Sequence, residues 1–473
     1  MNKPMGKTAN DSNISFKTIQ YRVADNGVAF IGIDVPDRDV NILTPQLHVE
    51  LGEVAAQLAS DDSVSGAVLH SAKQGFMAGG DLKRIVNYYA LDRTAAEAYE
   101  QSRTFSQSLR QLETCGKPVA VAVNGTAMGG GLEMALACHY RVAIDDDEIL
   151  LGLPEVTLGL IPGAGGTQRL PRLIGLKEAT SMILDGTAIS PARALELGIV
   201  DELATPDELL NTAERWVLAN GRPDQPWDRR GFRIPGGSKL NDMNVGRLFQ
   251  IQTAKVGAQY RHNYPAPIAA LRALFNGTTV NSIDQGLRIE TREFSALTRD
   301  PVARNIIRTL FINKRERKFR KGDADSALLE LCEQAYADEA QRMLDQGVPR
   351  AVIRNAAWAA GMKDHPAGLE AAETTSAKEP ASYDFAQLKQ RLLAIQSLVA
   401  AERWSREQLD PVTADLSTVL GGGFPSYTGG VMSYVSTMGL PKFIAHCDRF
   451  ADELGEHFRP SDELRARSDY QDR

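Results

Sequence analysis

Residues 122–137 read AVNGTAMGGGLEMALA: a β-rich run breaks at Asn124–Gly125, three glycines follow, and an apolar helical pattern opens with one glutamate, Glu133, in its first turn. Glycine gives up more conformational freedom on folding than any other residue, so three in a row at a helix entrance need a reason. The first N–H groups of a helix lack intrahelical partners and form the positive end of its dipole. Glycines there let another chain or a ligand come close to those amides. A close strand–helix packing contact accounts for the same pattern, and the glycines alone do not choose between the two. A second stretch, FMAGGDLK (76–83), has the same character, with two glycines after a strand ending near Ser71.

The surrounding chain alternates short β-rich runs with helical patterns. Strands are expected over 27–34, 65–72, 117–125 and 141–144, with a helix over 44–61 and another from the triple glycine to about residue 140. That alternation predicts a layered α/β fold for the first ~200 residues. The stretch QPWDRRGFRIPGG (225–237) reads as a loop or boundary, and 240–320 as helical. Residues 326–473 read as all-helical, with two helical hairpins suggesting a repeat and a polar connector at 373–382 between them. The helix over 385–404 would set Phe385, Leu388, Leu392, Ile395 and Val399 on one face. The expected division is 1–220, 221–322 and 323–473.

A net charge of −7, from 60 acidic and 53 basic residues, argues against nucleic acid or a membrane surface as partner. No apolar run is long enough for a span, and the start of the chain carries no signal core, so a cytoplasmic protein is expected. The four cysteines, Cys115, Cys138, Cys332 and Cys447, lie far apart and read as reduced thiols rather than a metal site. The basic cluster Lys314, Arg315, Arg317, Lys318 and Arg320 reads as a solvated helix end, with a phosphate clasp as the alternative.

Two carboxylates sharpen the reading of the glycine turns. Glu133 follows the triple glycine, and Glu155 lies in LGLPEVTLGLIPGAGGTQRLPRLIG after a strand-like EILLGL. Each alone fits a helix-start charge or a surface loop charge. Together with two sets of free amides they match what addition of water to an activated C=C needs: one group to activate water, one to move a proton, and an oxyanion hole whose single donors are each worth about 2.7–4 kcal/mol.

FMAGGDLK, NGTAMGGGLEMALACHYRVA and GLPEVTLGLIPGAGGTQRLPR resemble, over about residues 15–205, the signatures of the enoyl-CoA hydratase/isomerase (crotonase) family. The resemblance implies a spiral ββα fold, a CoA thioester substrate and a lyase, a 2-enoyl-CoA hydratase of acyl-CoA degradation. It implies an oxyanion hole from the N–H groups of Gly80 and Gly130, water activation by Glu133, proton delivery by Glu155 and a water-holding N–H at Gly163. It sets Ala78, Asp81, Leu82 and Lys83 along the CoA moiety. The sequence departs from the pattern in having Gly80 where the family commonly has Ala, and in a longer acidic turn, DDDE (145–148). An isomerase that shifts a double bond, and a non-catalytic acyl-CoA-binding scaffold, are the alternatives.

Segments after residue 205 (PWDRRGFRIPGG, ETREFSALTRDPVARNIIRTLFINK and LGGGFPSYTGGVMSYVSTMGL) resemble the multifunctional β-oxidation branch of the family, in which the hydratase is fused to a 3-hydroxyacyl-CoA dehydrogenase. They match its linker helix and its C-terminal helical domains. The branch's NAD-binding domain, with its G-x-G-x-x-G turn, is not found between them, and His365, His446 and His457 stand in no catalytic motif. The expectation is therefore no NAD, no metal and no oxidation step, with a second copy of the chain or a thiolase as possible partner.

Overall fold

The computed structural model describes residues 15–220, 224–238, 242–280, 282–366, 383–406 and 408–467. Among the described residues nine strands form two sheets: β1 (Ile19–Val23), β2 (Val28–Ile33), β3 (Gly66–Ser71), β4 (Val119–Val123), β5 (Ala127–Met128), β6 (Tyr140–Ile144), β7 (Leu151–Gly152), β8 (Ala188–Ile189) and β9 (Glu202–Ala204). The larger sheet has the order β1-β2-β3-β4-β6-β9, parallel except for β1 against β2. The smaller has the order β5-β7-β8. The expected strands over 27–34, 65–72, 117–125 and 141–144 are present as β2, β3, β4 and β6. The two-residue strands β5 and β8 and the half-exposed β1 and β9 carry too little apolar pattern to be read locally.

Strand β4, VAVAV, shows why the middle of the sheet is apolar without interruption. Its Val119, Val121 and Val123 join one core, and its Ala120 and Ala122 another on the opposite face. Successive side chains point to opposite faces, so a parallel strand covered on both sides must be apolar at every position. The helix Leu209–Ala219 covers one face through Leu209, Ala213 and Val217. The other face carries the helices Pro45–Ser60, capped by the Thr44 side chain, and Ala95–Glu113, which opens with a Thr94/Glu97 capping box.

The first core runs on past the sheets into the helices Met243–Tyr260, Pro265–Thr279 and Ile283–Leu297, as far as Ile307. The loop at 225–237 is pinned to this body. Trp227 is buried, and its indole N–H donates to Glu113 at 3.0 Å. After Pro301–Ile306 the backbone widens into a π-helix over Ile307–Asn313.

A second core spans Leu328 to Leu464. Its helices Ser326–Asp345, Arg350–Ala360, Phe385–Ser405, Pro411–Leu420, Val431–Met438 and Leu440–Leu454 agree with the all-helical expectation. One reading is corrected. Phe385–Ser405 is not one-sided: every residue from Arg391 to Leu398 is buried, Val399 is half-buried and Phe385 is exposed. A helix at the centre of its bundle is covered all round, so an amphipathic stripe underestimates its burial. The connector at 373–382 lies outside the described residues. Thr309 donates to the Gly429 carbonyl at 2.8 Å and Arg308 to Ser433 at 2.7 Å, tying the π-helix to the second core. All four cysteines are buried free thiols.

Candidate active site

The two glycine turns are brought side by side by backbone pairing between segments distant in sequence. Met77 bridges Ala127, and Leu43 bridges Gly80. The N–H of Met128 donates to the Met77 carbonyl at 3.1 Å, and that of Leu43 to the Gly79 carbonyl at 2.9 Å. Asn41 is fully buried beneath them, accepting from Val35 N–H and donating to Ile33 O and Ser71 Oγ. The helix Gly130–Ala137 starts at Gly129, which caps it with no side chain and a φ of +55°. A Cβ on Gly129 would lie 2.8 Å from Glu155 Oε1, and one on Gly130 would lie 2.0 Å from Leu43 Cδ1. The glycines are required by both backbone angle and closeness of approach.

A cavity of about 700 Å³ opens at this point. Ala78, Gly80, Asp81 and Leu82 line it from the first turn, Gly130 and Glu133 from the second, and Glu155 and Gly163 from the loop beyond β7. Lys83 stands apart from the lining; its ammonium pairs with Glu316 at 2.6 Å, both side chains exposed. Asp81 lines the cavity and also caps the helix Leu82–Ala90, accepting from the N–H groups of Lys83 and Arg84.

Several lining groups were not legible in the motifs. His48 stacks on Phe105 with ring centroids 4.5 Å apart, and burial pushes its imidazole pKa down to about 4, so it is neutral. Phe294 and Phe311 close the cavity from the helices that follow the sheets. Phe294 was hidden because only its contact with Gly163 marks it: a Cβ on that glycine would come within 2.7 Å of the ring.

The two carboxyl groups sit in contrasting surroundings. Glu133 is buried, and its Oε1 accepts from the N–H of Ala164 and of Gly166, both at 2.7 Å. Burial raises its pKa while those amides and the Arg169 guanidinium oppose the rise. Glu155 is raised well above the usual carboxylate range, first by burial and then by the charge of Glu133. The residue keeps some exposure, yet its Oε2 is inaccessible and has no partner in the protein. Opposed environments of this kind favour one group as carboxylate and the other as carboxylic acid, the pairing that acid–base chemistry at one carbon–carbon bond requires.

Residues 23–220 match the enoyl-CoA hydratase/isomerase family. The chain is 36% identical over 309 residues to the fatty acid oxidation complex subunit alpha of Shewanella baltica, a match covering 65% of this chain and 42% of that protein. It thus spans less than half the length of the curated relatives it matches. Among solved structures, Pseudomonas aeruginosa DspI is 30% identical, with 44% of this chain and 77% of that one covered and a TM-score of 0.40. An enoyl-CoA hydratase from Bacillus anthracis is 28% identical, with 59% and 89% covered and a TM-score of 0.39.

Proposed function

We propose that this protein, whose residues 23–220 match the enoyl-CoA hydratase/isomerase family, hydrates 2-trans-enoyl-CoA thioesters to 3-hydroxyacyl-CoA. The observation that carries the reading is the contrast at one cavity between Glu133, held by two amides, and Glu155, whose Oε2 has no partner. A thioester carbonyl seated against the N–H groups of Gly80 and Gly130 would draw charge from the C2=C3 bond. Glu133 takes a proton from water as its oxygen bonds to C3, and the electron pair moves through C2 to the thioester oxygen. Glu155 then gives its proton to C2. Water is added across the bond, and the proton gained by Glu133 replaces the one lost by Glu155. In this reading the N–H of Gly163 helps to hold the water, and the turn at 78–83 runs along the CoA moiety.

Hydration without a following oxidation is part of the proposal. Among the described residues no strand follows Ala204, and from Ser326 the chain runs into helices. The described residues after Ala204 thus offer no glycine turn between a strand and a helix, the unit that a dinucleotide's phosphates need. The division at 220 and 322, a cytoplasmic location and assembly with a second copy or a thiolase belong to the same proposal. Among the described residues no helix is long and apolar enough to cross a membrane.

The test is loss of the conjugated enoyl-thioester absorbance over a panel of chain lengths, with NAD present. Glu133→Gln and Glu155→Gln are each expected to slow hydration about 10²–10⁴-fold. Near-parental rates in both variants would overturn the reading. Conversion of a 3-enoyl thioester with no hydration would assign an isomerase instead, and formation of NADH would restore the oxidation step.

A further inference from the structure

The loop Gly163–Thr167 is gripped from two sides by two carboxylates that take alternate amides. Glu133 accepts from Ala164 and Gly166. Glu290, on the helix Ile283–Leu297, accepts from Gly165 N–H at 2.5 Å, from Thr167 N–H at 2.8 Å and from the Thr167 hydroxyl at 2.6 Å. Carbonyls of the turn are engaged as well: that of Ala164 accepts from the Arg169 side chain at 2.8 Å and that of Gly165 from the N–H groups of Gln168 and Arg169. Glu290 is fully buried and 123 residues from Thr167 in sequence. It lies outside the stretch that matches the family.

Removing a carboxylate from water costs several kcal/mol unless its oxygens are fully bonded, so a charge set on the apolar stripe of a helix needs a strong return. Here it is a loop whose four amides from Ala164 to Thr167 are assigned one by one. Facing Glu290 are Arg169 and Arg172 from the helix Gly166–Ile174, with Glu133 and Glu155 across the loop. Burial and the charge of Glu133 push the Glu290 pKa upward, against its three donors. One helical turn further on, Phe294 lies against Gly163, the other end of the same loop.

We propose that Glu290 is a positioning residue for hydration: it fixes the far side of the 163–167 loop so that the near-side amides hold Glu133 where it can take the proton of water. The inference rests on the hydratase reading. It makes the helix Ile283–Leu297 part of the reaction centre rather than a support for it, because the loop cannot hold Glu133 in register when half its amides lose their acceptor. Displacement of a reacting group by about 1 Å is enough to cost on the order of 10²-fold in rate.

The test is steady-state hydration by the full chain over a range of pH. In Glu290→Gln one oxygen gives way to an NH2 group that cannot accept, so the grip on Gly165 or on Thr167 is lost. The expected result is a kcat about 10–100-fold lower, with KM within about threefold because the CoA contacts lie on the other turns. The alkaline limb of kcat/KM, set by loss of the Glu155 proton, should also move to lower pH. A negative charge that raises the Glu155 pKa has then been removed. A folded variant with parental kcat, or with lowered kcat and an unmoved alkaline limb, overturns the proposal. If Glu290→Gln does not fold, Thr167→Val decides, since it keeps the Thr167 N–H on Glu290 and removes the hydroxyl, which donates to Glu290 and accepts from the Gln168 amide. A few-fold lower kcat at parental KM with the limb unmoved supports the grip, and parental kcat overturns it. An inactive parent overturns the hydratase reading and this inference together, whereas an active parent with indifferent variants overturns the inference alone.

Discussion

Gly80 and Gly130 do the same proposed work under different steric constraints. A Cβ on Gly80 would meet Ile85 Cδ1 at 3.4 Å, an ordinary contact, and its φ is not in the left-handed region. A Cβ on Gly130 would overlap Leu43 Cδ1 at 2.0 Å. Gly80→Ala is therefore expected to keep hydration within about threefold of the parent, since a backbone donor survives the change. Gly130→Ala must push apart Leu43 and the helix start, and should lose at least about 10²-fold, the scale of one oxyanion donor. Parallel kinetics on the two variants check this, and equal losses would mean that the donors are not what matters at these positions.

At the scale of elements, the candidate site depends on how the helices after the sheets are fastened to it. Glu113 ends the helix Ala95–Glu113 with its carboxylate fully buried. It accepts from Arg169 Nε and Nη2, from Arg110 and from the Trp227 indole. Arg110 reaches on to Asp228 and Asp284, so one ionic cluster ties together a helix, the loop at 225–237 and the helix that carries Glu290. Replacing Glu113 by Ala leaves the Arg169 guanidinium buried without its partner. Breaking a buried pair on one side costs about 3–5 kcal/mol, and that loss is expected in the urea midpoint of the variant. An unfolding free energy within about 0.5 kcal/mol of the parent would show that the helices dock by apolar contact alone.

On the scale of the whole molecule, two cores are joined through the π-helix, and a buried acid stands at that junction. Asp415 accepts from the N–H groups of Met432 and Ser433 and from the Ser433 hydroxyl, and faces Arg308. Burial, opposed by those donors, pushes its pKa up to about 7. The folded chain thus keeps a proton that the unfolded chain releases near pH 4. This contribution to stability is complete below that pH and is lost as pH rises towards 7. Asn at 415 can accept from both amides and cannot ionise, so Asp415→Asn should be free of the dependence. Between pH 4.5 and 7.5 the variant is expected to gain about 3 kcal/mol on its parent. Parallel stability curves would show that Asp415 does not titrate with folding.

Local sequence determined a good deal. Apolar runs on β2, β3 and β4 mark strands buried on both faces, and Thr44-Pro45 and Thr94-x-x-Glu97 mark helix starts, because these features depend on neighbours a few residues away. The glycine turns and the pair Glu133 and Glu155 were legible for the same reason, each lying in a stretch whose backbone demands show in its own residues. Glu290, Phe294 and Phe311 were not. Glu290 falls among charged residues of a helical pattern, and its one local signal is that it shares the stripe of Ile283, Gly286, Leu287 and Thr291, which packing then buries. What bonds it lies 123 and 125 residues away. Short-range pattern fixes which segments fold and which amides they leave free, whereas the burial of a charge is decided by whatever distant chain is laid over it.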